Sequence, residues 1–81
     1  SQLPTEVIFR VHGKLYPEVD EICKSLETSL GISVWRFYSA FGVHSCKTVC
    51  TPKQFLIVSL AFGDIDPIGT IEEFLQRERQ S

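Results

Sequence analysis

Between Glu27 and Asp64 the chain has no aspartate and no glutamate, although 10 acidic residues are spread over its 81 positions. That gap holds Arg36, Lys47 and Lys53, with His44, among Trp35, Phe37, Tyr38, Phe41, Phe55 and Phe62. Aromatic and β-branched residues favour sheet, so the expectation is a locally basic sheet flanked by acidic helices. Other absences narrow the class. No apolar run approaches the roughly 18 residues that a membrane-spanning helix needs, and the longest, 55–62, suits a buried strand. The 3 cysteines are an odd number, which excludes a closed disulfide framework and points to a reducing, intracellular setting. A strongly basic balance is also missing. The net charge of −2 and pI near 5.6 oppose binding to bulk nucleic acid and leave only a local patch to hold an anion. No charged-then-apolar leader stands at the N-terminus, and there is no internal repeat, linker or low-complexity tract.

What remains is an ordinary globule. A hydrophobic fraction of 43% and a charged fraction of 22% fit a folded domain, and the length predicts one α+β domain over residues 1–81. A chain of this size buries about 60–65% of its unfolded surface, so its stability margin is small. It starts at Ser1 and ends in a polar 77–81 tail, the expectation being a domain of a larger protein.

Residues 6–12 alternate, Val7, Phe9 and Val11 against Ile8, Arg10 and His12, the period of a half-buried strand. Over 17–30 the apolar positions Val19, Ile22, Cys23, Leu26 and Leu30 form one helical stripe. Pro17 suits its first turn, and Gly31 its C-terminal stop. Residues 32–41 alternate again, Trp35, Phe37 and Phe41 against Arg36 and Tyr38, and Gly42 marks a turn. Residues 43–50 read as a shorter strand and 51–54 as a turn with Pro52 in its second position. Residues 55–62 are apolar on both faces, as in a central strand. A loop over 63–69 then leads to Thr70-x-x-Glu73, a capping box opening a second helix. The predicted order is β-α-β-β-β-α: a two-layer sandwich with a mostly antiparallel sheet and two helices packed on one face.

If the Val7, Trp35 and Leu56 sets point at the helices, the opposite sheet face gathers Arg10, His12, Arg36, Tyr38, Lys47, Phe55 and Ile57, with Ile8. Aromatic residues mixed with arginine are the composition of protein interfaces, and aromatics beside cations also stack single-stranded nucleic acid. Catalytic alternatives are weaker. His44-x-Cys46-x-x-x-Cys50 lacks a second ligand pair, and its cysteines lie roughly 13 Å apart along an extended strand. Neither histidine can be set beside a thiol from spacing alone. Asp64-x-Asp66 fits a turn better than a paired-carboxylate site, and acidic Glu72 and Glu73 oppose phosphate at the following helix N-terminus.

From Pro17 onward the predicted α-β-β-β-α order is similar to that of a double-stranded-RNA-binding domain, in topology alone. The turn reads Gly42-Val43-His44 and the last helix opens Thr70, Ile71, Glu72, Glu73, where such domains carry Gly-Pro-x-His and a basic start. The sequence thus predicts a non-catalytic protein-interaction module, with no cofactor, no metal and no transmembrane segment. An RNA-binding module of degenerate double-stranded-RNA-binding topology is the alternative.

Overall fold

The structure, a computed structural model, describes residues 3–68 and Gln76. It comprises strand β1 (Thr5–His12), helix α1 (Tyr16–Leu30), strands β2 (Ser33–Ala40) and β3 (Val43–Cys50), helix α2 (Pro52–Phe62) and strand β4 (Ile65–Ile68). The four strands form one antiparallel sheet in the order β2-β3-β1-β4. Both helices pack on the same side of it, in one core with Val7, Phe9, Val11, Val34, Cys46 and Cys50. The α+β class, the antiparallel sheet and the two helices on one face therefore hold.

The α1 stripe is buried as predicted through Val19, Cys23 and Leu26, with Ile22 and Leu30 at its margins. Glu18 Oε1 accepts the Leu15 N–H at 3.1 Å, and Gly31, at φ 68°, donates its N–H to the Glu27 carbonyl at 2.9 Å. That left-handed stop favours glycine.

The element order differs in its second half. Residues 55–62 belong to helix α2, not to a central strand. Thr51 is its N-cap: the Thr51 Oγ1 accepts the Gln54 N–H at 3.2 Å, and Gln54 Oε1 accepts the Thr51 N–H at 2.9 Å. Thr-Pro-Lys-Gln is thus a capping box with proline in the first turn, not a connecting turn. The buried positions Phe55, Val58 and Phe62 recur at helical spacing, while Leu56, Ile57 and Leu60 face solvent. A run that is apolar all round satisfies periods of 2 and 3.6 alike; the cap decides between them.

The fourth strand is instead β4, drawn from the expected loop. It pairs with β1 through Ile8↔Ile68, Phe9↔Pro67, Arg10↔Asp66 and Val11↔Ile65. Pro67 lacks a ladder donor, which an edge strand tolerates. The resulting β-α-β-β-α-β order is the split β-α-β arrangement. With α2 in place of a strand, the topological likeness to double-stranded-RNA-binding domains lapses. The expected helix from Thr70 and its capping box lie outside the described residues.

Packing follows from β1 at the centre of the sheet. Phe9 is fully buried, with ring centroids 5.7 Å from Phe55 and 5.5 Å from Phe62. The core thereby ties β1 to α2, while Val19, Cys23 and Leu26 bring in α1.

Candidate functional site

Antiparallel partners share a sheet face, so the register of the strands fixes what the face away from α1 and α2 carries. One row across the sheet runs Trp35, Lys47, Ile8, Ile68; the next runs Tyr38, Ser45, Arg10, Asp66; a third holds Ser33, Val49 and Glu6. Trp35 is 40% exposed and Tyr38 61%, and Val49 and Ile68 are likewise open. Lys47 Nζ sits 5.9 Å from the Trp35 ring centroid and 3.0 Å from Glu6 Oε2. The ammonium thus caps the aromatic face while being matched by a carboxylate.

Four of the seven predicted binding residues lie on this face: Arg10, His12, Tyr38 and Lys47. The other three do not. Phe55 is 1% exposed in the core on α2, and Ile57 lies on the outer surface of the same helix; both were displaced when the strand proved to be a helix. Arg36 points to the helix side. Its Nε donates to Asp20 Oδ1 at 3.0 Å and its Nη2 to Asp20 Oδ2 at 3.1 Å, a bidentate pair that joins β2 to α1. The Arg36 guanidinium holds the Asp20 carboxyl below the ordinary carboxylate range.

Strand β2 is inverted relative to the sequence expectation. Val34 is buried under the helices, and Trp35, expected inside, faces out. A bulge between Arg36 and Tyr38 adds one residue, Phe37, so Arg36 pairs with Cys46 on the helix side while Tyr38 pairs with Ser45 on the open side. Simple alternation would have put Arg36 and Tyr38 together. The bulge separates them.

The expected basic character is also corrected. The acid-free stretch supplies Lys47, but β1 and β4 bring Glu6 and Asp66 onto the same face, beside Lys47 and opposite Arg10. Two cations meet two anions there. The residues that sequence reading missed are Trp35, Val49, Glu6, Asp66 and Ile68. The capping box at Thr51 could have released 55–62 from the sheet and so pointed to a fourth strand in 64–68.

On the buried side, Cys46 and Cys50 lie on β3 beside the helices, with Cys23 on α1; all three are free. The neighbouring Cys23 thiol and burial push the Cys46 thiol well up, and burial raises Cys50. Both ring nitrogens of His44 are within hydrogen-bonding distance of protein atoms, Ser39 Oγ and the Lys14 carbonyl. Among the described residues no group of three or more His, Cys, Asp or Glu side chains converges to hold a metal. None of the helices described is long and apolar enough to cross a membrane.

These features define an α+β chain of split β-α-β order whose sheet presents an aromatic and charge-balanced face that no described element covers. Compared with protein-family models, with curated proteins and with solved structures, the chain matches none.

Proposed function

We propose that this chain is a protein-interaction module that binds its partner through the open sheet face. The observation that carries this reading is the row Trp35, Lys47, Ile8, Ile68, extended by Tyr38 and Arg10, with its two cations set against Glu6 and Asp66. Apolar and aromatic groups with matched charges fit a protein surface, whereas phosphate binding needs cations in excess. A second exposed apolar set, Leu56, Ile57 and Leu60 on α2, holds no aromatic residue or arginine, the types that dominate binding energy. Free, buried cysteines support a reducing, intracellular location.

The test uses the wild-type chain, the double variant Trp35→Ala with Tyr38→Ala, and Leu60→Ser as baits, with nuclease treatment of each. Side chains on the open face do not support the core, so the double variant should fold normally. It should lose the captured protein, while Leu60→Ser and nuclease should have no effect. Retention by the folded double variant contradicts the proposal. Loss of the partner on nuclease treatment, with affinity falling steeply as salt rises, would support nucleic acid instead.

A further inference from the structure

At the end of the sheet where α1 begins, polar groups from β2, β3, α1 and the loop before α1 form one connected chain. Ser39 is exposed near the end of β2; its cross-strand partner His44, on β3, is buried. His44 Nε2 lies 2.6 Å from the Lys14 carbonyl oxygen. A carbonyl only accepts, so Nε2 carries the hydrogen, and in the neutral ring Nδ1 offers a lone pair. Ser39 Oγ stands 2.8 Å from that Nδ1, so the serine hydroxyl donates to the ring. Arg36 Nη1 donates to the same Oγ at 3.2 Å. The rest of the guanidinium is fixed by Asp20 and lies 5.3 Å from the Tyr16 ring centroid.

A hydroxyl within reach of an imidazole, the imidazole being held by a third group, is the arrangement that activates a serine. The Arg36 Nη1 donor occupies one lone pair of Oγ and so fixes the direction in which the hydroxyl points. We propose that Ser39 is a nucleophilic serine, with His44 as its base and Arg36 as the group that orients its hydroxyl, reactive toward electrophilic esters that carry an apolar group. Exposed Leu15 and Tyr16 follow Lys14 directly, and Phe41 lies two residues beyond Ser39, giving this end of the domain an apolar surround. In the reaction Oγ attacks the electrophilic carbon or phosphorus and forms one bond to it. The Oγ proton passes to His44 Nδ1, the bond to the leaving group breaks, and the leaving group departs with that proton. Nothing is oxidised or reduced. The inference goes beyond the binding role, since Ser39 and His44 lie on the helix side of the sheet and neither Trp35 nor Tyr38 takes part.

An alkyl fluorophosphonate tests it, with intact mass and peptide mapping as the readout. The folded wild-type chain should gain one adduct, on Ser39, with release of fluoride. Ser39→Ala should gain none, and His44→Gln should react roughly 10²-fold more slowly, the usual contribution of a positioned base. Because removing a buried ring endangers the fold, the wild-type chain unfolded in urea serves as the second measurement, and it should not react at the folded rate. The proposal is overturned if the folded chain does not react, if adducts fall on Tyr16, Ser45 or Ser59 as readily as on Ser39, or if the unfolded chain reacts as fast.

Discussion

Phe41 occupies a position made for a different residue. It and Gly42 form the two-residue turn between β2 and β3, at φ 53° and 75°, and its side chain is fully exposed. Positive φ at both positions is the type I′ pattern, which favours Asn-Gly. A bulky residue held there costs about 1–2 kcal/mol. Phe41→Asn should therefore raise stability by about 1 kcal/mol, seen as a higher melting temperature; an unchanged or lower one would show that the ring has stabilising contacts. Asp20 gives a pH signature at the same scale. Its folded pKa is lowered, chiefly by the hydrogen bonds from Arg36, so the stability it confers is present above its unfolded pKa and lost as pH falls through the folded one. Asp20→Asn should flatten the acid limb of a stability curve below about pH 4 by lowering its neutral plateau, and leave the stability at the acid end little changed. With a side chain that is 43% exposed, the effect is modest, because solvent screens the pair.

At the scale of elements, α2 decides the topology, and its cap is the part most open to test. Thr51→Ala removes the acceptor for the Gln54 N–H and should destabilise by roughly 1 kcal/mol in urea unfolding. The two periodicities also separate experimentally. Phe55→Ala should cost about 3–5 kcal/mol, while Ile57→Ala, on the solvent side, should stay within about 0.5 kcal/mol. Equal losses at both would return the segment to a two-sided strand. These contrasts show what the sequence made readable. β1 and α1 were legible because each had one clear period bounded by glycine or proline, β3 because turn residues flank it on both sides, and Val7, Phe9, Val11 and Leu26 are buried where the pattern placed them. The segment 55–62 was ambiguous because its apolar residues surround the helix, and the short β4 carries a proline and an aspartate that imitate a loop. On β2 the alternation itself was visible, but its phase was not: Trp35 and Val34 are both apolar, and the bulge at Phe37 depends on pairing with β3.

For the whole molecule, the separation of the two sheet faces organises everything else. Helices α1 and α2 cover one side, so the buried cysteines, His44 and the Arg36 to Asp20 pair all lie there. The other side carries Trp35, Tyr38, Ile8, Ile68 and the matched charges. Of the predicted site, Arg10 and His12 were legible from the alternation of β1, whereas Tyr38 reaches the open face only through the bulge at Phe37, and the pairing of Glu6 with Lys47 and of Asp66 with Arg10 was not legible, because these residues are distant in sequence and are brought side by side only through strand order. That balance is what the proposed function rests on in preferring a protein surface to a phosphate backbone.

The chain has a single tryptophan, and it sits at the head of the apolar row on the open face, so its emission reports directly on the proposed interface. The deciding measurement is iodide quenching of Trp35 fluorescence, first in the free chain and then with the captured protein partner at saturation. The account predicts efficient quenching of the free chain, and protection with a blue shift in the complex. Trp35 that resists quenching when free, or is quenched equally at saturation, would contradict it.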